Sequence, residues 1–411
     1  MKSFENMLEE YAQLAVKTGI NIQKGQTLII NSPIEAADFV RLVAKYAYEE
    51  GAKEVHVEWN DESLTRMKYD HAPIEVFENF PKWKADGFEE FAENGAGFLS
   101  IAASNPELLK GVDPRKIAAS NKSSSKAMEK FREYTMNNHV SWCVISIPTK
   151  DWAVKVFPEM SEEKALNTLW KTIFKTVRID KEDPIKAWNE HLDNLNKKLE
   201  FLNKKKFKNL HYTSSNGTDL IVELPKGHIW AGGGDYTTKD IFFVANMPTE
   251  EVFTLPKKTG VNGTVVSTKP LNYSGNLIDN FKLTFKDGKV IDFEAEKGYE
   301  TLKNLLETDE GAKYLGEVAL VPYDSPISNS NILFYNTLFD ENASCHLAFG
   351  MAYPTCIEGG SKMDDKGKEA HGVNSSLVHV DFMVGAKDLN IVGETQECEK
   401  FQIFKNGNWA F

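Results

Sequence analysis

The stretch TLIINSPIEAADFVRLVAKYAYEEGAKEVHVEW, residues 27 to 59, decides the fold of the N-terminal half of the chain. It contains a short apolar strand, TLIIN (27–31), then a helix over about 35–51, and then a second strand, EVHVEW (54–59). A strand, a helix and a strand in this order form a βαβ unit, in which the two strands run parallel in one sheet.

The same alternation of strand and helix continues along the N-terminal half. The apolar runs GFLSIAAS (97–104) and SWCVISIP (141–148) alternate with helical stretches at 115–133 and 161–177. Neither GxGxxG nor GxxxxGK[ST] follows any of these strands, so a dinucleotide site or a P-loop has no support. We therefore predict an α/β domain with a mostly parallel sheet over residues 1–183.

The C-terminal half has a different pattern, which begins after a long amphipathic linker helix at about 184–208. Three Asn-Gly or Asp-Gly pairs between β-branched runs predict hairpins: Asn216-Gly217, Asn262-Gly263 and Asp287-Gly288. Helices are expected near 296–307 and 335–349. Residues 184–411 are thus predicted to form an α+β domain that is rich in antiparallel strands and contains the functional site.

The composition limits the classes of function. A chain of 411 residues, 41% hydrophobic and 26% charged, is typical of a globular protein with two or three domains. It contains no apolar run of the ~20 residues that a membrane span needs, and its N-terminus lacks the features of a signal peptide. A net charge of −12 argues against nucleic acid or an anionic membrane as a partner. Four cysteines without a CxxC pair indicate reduced thiols and a cytoplasmic location.

The run SSLVHVDFMVGA, residues 375–386, has the composition of a strand but contains His379 and Asp381. Residues two apart in a strand point to the same face, so the imidazole and the carboxylate are expected side by side. Burying both costs free energy unless they satisfy each other or bind a cation. This run alone leaves open a buried His–Asp pair and a metal site.

Three further segments place a metal-ligand type of side chain in or beside an apolar element. They are NMPTEEVFTLP (246–256) with Glu250 and Glu251 at the start of a strand, LGEVALVP (315–322) with Glu317, and FDENASCHLAFGMAY (339–353) with His346 in the expected helix and Tyr353 after it. Imidazole nitrogen and carboxylate oxygen suit Zn²⁺ or Co²⁺. Because a single catalytic zinc takes about three protein ligands, so many candidates suit two ions that share a water, and a bridging carboxylate can hold two ions ~3.5–4 Å apart.

Four motifs, NMPTEEVFTLP, LGEVALVP, NASCHLAFGMAY and GVNSSLVHVDFMVG, resemble in order and spacing the metal-site motifs of the aminopeptidase T and aminopeptidase S family, the thermophilic-type metalloaminopeptidases. The resemblance extends over the whole chain. It implies the following metal ligands: Glu251, Glu317, His346, Tyr353, His379 and Asp381. Strand parity and the ligand position immediately before Val252 favour Glu251 over Glu250. The resemblance also implies a homodimer that removes N-terminal amino acids from peptides with a free N-terminus.

These inferences predict a metalloaminopeptidase, a hydrolase with two divalent ions per subunit. Zinc or cobalt is expected, with manganese or magnesium as alternatives. Glu317 is the expected residue for proton handling, while Tyr353 either ligates one ion or donates a hydrogen bond to the tetrahedral oxyanion.

Two other functions remain open at this point. One is a two-metal phosphoesterase or amidohydrolase, although the motif segments contain no Arg or Lys to meet a phosphate. The other is a non-catalytic protein that binds a peptide or an amine, in which the carboxylates only capture the amino group. A protein of that second kind would purify without stoichiometric metal.

Overall fold

The computed structural model describes residues 2–103, 105–273 and 275–411. The α-helices are α1 (Phe4–Leu14), α2 (Ala37–Glu49), α3 (Glu62–His71), α4 (Lys82–Glu93), α5 (Pro114–Ala127), α6 (Glu129–Met136), α7 (Lys150–Val156), α8 (Glu162–Thr176), α9 (Pro184–Lys205), α10 (Tyr299–Leu306), α11 (Thr337–Asp340) and α12 (Asp365–Ala370). Within the described residues, no helix combines the length and the apolar character that crossing a bilayer requires.

The β-strands are β1 (Thr27–Pro33), β2 (Glu54–Asn60), β3 (Gly97–Ile101), β4 (Trp142–Ile145), β5 (Asn209–Thr213), β6 (Asp219–Glu223), β7 (Ala231–Gly232), β8 (Asp235–Tyr236), β9 (Phe242–Phe243), β10 (Val252–Thr254), β11 (Val261–Val266), β12 (Leu271–Tyr273), β13 (Asn276–Lys286), β14 (Lys289–Lys297), β15 (Leu315–Leu320), β16 (His346–Gly350), β17 (His379–Met383), β18 (Asn390–Glu394), β19 (Lys400–Lys405) and β20 (Asn408–Trp409). Short 3-10 turns occur between them, including Gly311–Lys313 and Glu341–Ala343.

The chain divides into two compact units. The first contains the residues up to Asp193 together with Gly233–Thr249, and the second contains Asn194–Gly232 and Glu250–Phe411. The predicted domains, residues 1–183 and 184–411, stay a prediction.

The first unit is built on a parallel sheet with the strand order β2-β1-β3-β4. Every neighbouring pair in this sheet is parallel. Leu28, Ile29 and Ile30 of β1 are all buried, as expected for a strand that is covered on both faces. The predicted βαβ unit is confirmed by β1, α2 and β2. Ser104, the last residue of the predicted apolar run 97–104, lies outside the described residues.

The second unit contains two antiparallel sheets. The larger has the strand order β12-β13-β11-β6-β5-β18-β19-β20, with β14 beside β13, and the smaller has the order β17-β16-β15-β10-β7. The predicted α/β fold class, with antiparallel strands in the C-terminal half, is therefore confirmed. Helix α10 also confirms the expected helix near 296–307.

Two of the three predicted hairpin turns are confirmed. Asn216-Gly217 lies between β5 and β6, and Asp287-Gly288 lies between β13 and β14. The prediction at Asn262-Gly263 is wrong, because both residues lie inside β11, between β6 and β13. Gly263 has a φ of +117°, and a Cβ there would lie 2.2 Å from the carbonyl oxygen of Asp219. The close approach of two backbones, and not a turn, requires this glycine.

The helix expected near 335–349 is wrong. Helix α11 ends at Asp340, and His346 begins strand β16. The small residues of this segment suit a helix, but β16 pairs on both sides with β15 and β17. Cross-strand pairing and burial have overridden the local preference.

Candidate metal centre

The smaller sheet of the second unit has an apolar face and a polar face. On one face, alternate side chains enter the hydrophobic core of the unit: Val252, Val318, Leu320, Leu347, Phe349 and Phe382. Because successive side chains of a strand point to opposite faces, the intervening residues of β15, β16 and β17 stand on the other face. That second face carries the predicted metal ligands.

The strand register aligns the ligands in one row. Ala348 of β16 lies opposite Glu317 of β15 on one side and opposite Asp381 of β17 on the other. His346 and His379 lie two residues before Ala348 and Asp381, so they share this face. Since Ala348 has only a methyl group, no large side chain fills the space between the two carboxylates.

Two groups of ligand atoms meet on this face. In the first, His346 Nε2 lies 3.1 Å from Glu251 Oε2 and 3.5 Å from Glu317 Oε1. In the second, His379 Nε2 lies 3.5 Å from both Glu317 Oε2 and Asp381 Oδ1. Within each group the three ligand atoms lie within 4.8 Å of one another. Glu317 belongs to both groups, and each of its oxygens faces a different imidazole.

Backbone carbonyls orient both imidazoles. His379 Nδ1 lies 2.7 Å from the carbonyl oxygen of Met351, and His346 Nδ1 lies 3.3 Å from that of Ser344. In the tautomer in which Nδ1–H donates to the carbonyl, Nε2 keeps its lone pair and points it at the carboxylates. This is the arrangement in which protein histidines bind metals.

The three carboxylates of the site are buried, and their ion-pair partners are two histidines. Glu251, Glu317 and Asp381 are 7%, 5% and 8% exposed. In the described part of the chain, no Lys or Arg lies within ion-pair distance of them. Glu251 Oε2 and Asp381 Oδ1 are buried, and the polar groups that approach them are the imidazoles of His346 at 3.1 Å and His379 at 3.5 Å. Divalent cations would offset this cost, so the donor set fits a metal centre.

The pKa values of the site reflect burial and mutual charge. Burial raises the pKa of Glu317, and the two imidazoles only partly offset that rise. For His379, burial acts to lower the pKa, but Asp381 and Glu317 outweigh it and raise the pKa to about 9. The carboxylates of Glu251 and Glu317 likewise raise the pKa of His346 despite its burial. Metal ions must therefore displace protons from these imidazoles.

Tyr353 lies beside the second group. Its ring centroid is 5.2 Å from that of His379, in an edge-to-face arrangement, and 5.7 Å from that of Phe253. Burial, followed by the negative charges of Glu317 and Asp381, raises the pKa of Tyr353 well above its usual value. The side chain is thus a neutral phenol that can donate a hydrogen bond.

Glu250, the alternative to Glu251, is also buried, but Glu251 is the residue whose carboxylate reaches His346. The backbone N–H of Glu250 donates to Asn342 Oδ1 at 2.7 Å. This hydrogen bond fixes the backbone immediately before Glu251.

Sequence reasoning did not identify Glu341 and Asn342. Glu341 begins the 3-10 turn Glu341–Ala343, which packs against β17, and its side chain is buried. Asn342 Nδ2 donates to Glu341 Oε1 at 3.4 Å. Burial, and then the charges of Asp381 and Glu251, raise the pKa of Glu341 well above its usual value. The sequence contained no signal for these residues, because Asp-Glu-Asn is typical of an exposed turn.

Comparisons with known proteins cover the whole chain. The family profile described as thermophilic metalloprotease (M29) matches residues 4–409. Aminopeptidase AmpS of Bacillus subtilis (strain 168) is 54% identical over 411 residues, covering 100% of each chain. Aminopeptidase 2 of Geobacillus stearothermophilus is 56% identical, covering 100% of this chain and 99% of the relative. The solved structure of wild-type AmpT from Thermus thermophilus matches with a TM-score of 0.93 at 39% identity, covering 100% of both chains.

Proposed function

We infer the activity from one premise, that the chain belongs to the thermophilic metalloprotease (M29) family. The resemblance predicted from the four motifs is therefore confirmed. The protein is a metal-dependent aminopeptidase, a hydrolase that acts on peptides, as its full-length relatives named aminopeptidase indicate. Membership of this family excludes the two other functions that the sequence left open, a phosphoesterase and a non-catalytic binding protein.

We propose that each subunit holds two divalent ions, zinc or cobalt, with manganese or magnesium as alternatives. One observation carries this proposal: two groups of three ligand atoms share Glu317 and divide its two oxygens between them. Glu251 and His346 would complete the first site, and His379 and Asp381 the second. When bound, the ions would polarise the scissile carbonyl and lower the pKa of a water towards ~7.

The residues around the two groups would bind and orient the substrate. The neutral phenol of Tyr353 would donate a hydrogen bond to the carbonyl oxygen as it gains negative charge. Ligation of one ion by Tyr353, the other expectation from the sequence, stays the alternative role of this side chain. The substrate of an aminopeptidase carries a free α-amino group, which one metal ion or an acidic residue of the site would hold.

The assembly and the location are also part of the proposal. The resemblance to the aminopeptidase T and aminopeptidase S family supports a homodimer. Four free cysteines, of which Cys143, Cys345 and Cys356 are buried, support a reducing, cytoplasmic environment.

Hydrolysis of a panel of aminoacyl-p-nitroanilides, with and without a chelator, tests the proposed function. Activity should disappear after chelation and dialysis and return when Zn²⁺ or Co²⁺ is added. Metal analysis of the active protein should give two ions per subunit. Full activity of metal-free protein would overturn the mechanism, and a single ion at full activity would overturn the two-metal site.

A further inference from the structure

We propose that Glu341 is the group that accepts a proton from the attacking water and returns it to the leaving amine. This inference rests on the proposed two-metal function, and it reassigns the proton-handling role that the sequence suggests for Glu317. The structure supports it by the engagement of the three ligand carboxylates, by the position of Glu341 and by the rigidity of its support.

The carboxylates of the two ligand groups are already engaged. Each oxygen of Glu317 faces a different imidazole, at 3.5 Å in both cases, so both oxygens are directed at metal positions. Glu251 and Asp381 each belong to one group. A carboxylate that ligates a metal is a poor base, because the cation stabilises its charged form. Proton transfer therefore needs a carboxylate outside both groups.

Glu341 is such a carboxylate. Its 3-10 turn packs against β17, which carries His379 and Asp381, and Asn342 connects it to the backbone beside Glu251, yet it is in neither ligand group. It is 9% exposed, and no Lys, Arg or His of the described chain forms an ion pair with it. Asn342 donates to its Oε1 at 3.4 Å. The other oxygen, Oε2, is the one that we assign to the water molecule.

Glu341 is held in a rigid surrounding. Asp340, the preceding residue, accepts the backbone N–H groups of Phe334 at 2.9 Å and Asn336 at 3.1 Å. Asn342, the following residue, is fully buried, and it connects Glu341 Oε1 to the backbone of Glu250. A base with locked neighbours on both sides keeps the short and directed contact that proton transfer needs.

The chemistry of the step balances with water as the only co-reactant. As the water oxygen bonds to the scissile carbonyl carbon, one of its protons moves to Glu341. When the C–N bond breaks, Glu341 gives this proton to the leaving nitrogen. The products are a free amino acid and a peptide shorter by one residue, and Glu341 is regenerated as a carboxylate.

The test compares Glu341→Gln with wild-type protein by metal content, melting temperature, kcat and KM. The amide keeps the size and the hydrogen bond of Asn342 but cannot accept the proton. We expect kcat to fall ~10²- to 10⁴-fold, the usual contribution of a general base, while metal content and KM stay near wild type. Glu341→Asp should show an intermediate kcat. Glu190→Gln, an exposed change in α9, serves as the matched control with unchanged kinetics.

Three results would overturn the inference. Loss of metal in Glu341→Gln would make Glu341 a ligand, a raised KM at unchanged kcat would make it an amine anchor, and wild-type kinetics would give it no role. Should the Gln variant fail to fold, Glu341→Asp decides, since a wild-type kcat there refutes a positioned base. Failure of the proposed function would appear instead as chelator-resistant activity of the wild-type protein.

Discussion

Replacing Glu317 by alanine should remove both metal ions, whereas Glu251→Ala and Asp381→Ala should each remove only one. The reason is the shared position of Glu317, whose two oxygens face His346 and His379 at 3.5 Å each. Glu251 and Asp381 each belong to a single group. From this geometry we expect two ions per subunit in wild-type protein, one in Glu251→Ala or Asp381→Ala, and none in Glu317→Ala.

The size of the effect follows from the loss of one ligand in three at each ion. Loss of a direct ligand should lower the affinity for each ion by at least the ~10- to 100-fold that is typical when a group contacting a ligand is changed. Because bound metal stabilises only the folded protein, that weakening removes ~1.4 to 2.7 kcal/mol per ion at saturating metal. Glu317→Ala should thus lose roughly 3 to 5 kcal/mol of metal-dependent stability, about twice the loss in either single-site variant.

The assay measures metal content after desalting, together with melting temperature with and without chelator, on the same samples. Glu190→Ala controls for the removal of a surface carboxylate. Metal-free Glu317→Ala, compared with metal-free wild type, separates the loss of metal-dependent stability from the direct effect of the substitution, which ends the burial of a carboxylate but also removes its contacts with His346 and His379. Retention of one ion by Glu317→Ala, or of two ions by all three variants, would refute the shared ligand.

Three further predictions concern metal uptake and substrate choice. Metal should bind the metal-free protein more tightly as pH rises from about 6 towards about 9. The reason is that His379, with a pKa raised to about 9, must lose its proton before it binds a metal ion. Calorimetry that finds no proton release on metal binding would contradict this prediction. Gly232→Ala should remove the ion of the first site but not that of the second, because the new Cβ would lie 2.5 Å from the carbonyl oxygen of Glu251 and displace that residue. The metal content of the variant tests this prediction. N-acetylated peptides should resist cleavage, because acetylation removes the ammonium group; equal rates on blocked and free peptides in a chromatographic assay would indicate an endopeptidase.

The parts of the site that follow local rules could be predicted from the sequence. The alternation of apolar and polar residues in β17 predicts that His379 and Asp381 share a face, and their side chains lie 3.5 Å apart. Glu317 in β15 and Glu251 before β10 follow from the same reasoning. Their role as metal ligands stays a prediction, supported by the geometry that joins them.

The parts that depend on distant contacts could not be predicted. His346 lies in a segment of small residues that suits a helix, and only its pairing with β15 and β17 makes it a strand. Asn262-Gly263 has the sequence of a turn, but the close approach of β6 places it inside a strand. Glu341 and Asn342 contribute through burial and through contacts with β17 and Glu250, which no local pattern encodes.

The row of Glu317, Ala348 and Asp381 across three strands restricts how this part of the gene can change over evolution. An insertion of one codon within β16 or β17 would turn every later side chain of that strand to the opposite face, exchanging candidate ligands for core residues. Two added codons would restore the face but move the ligand ~7 Å along the strand. These two strands can therefore diverge among relatives only by substitution, and changes in length must accumulate in the connections outside them.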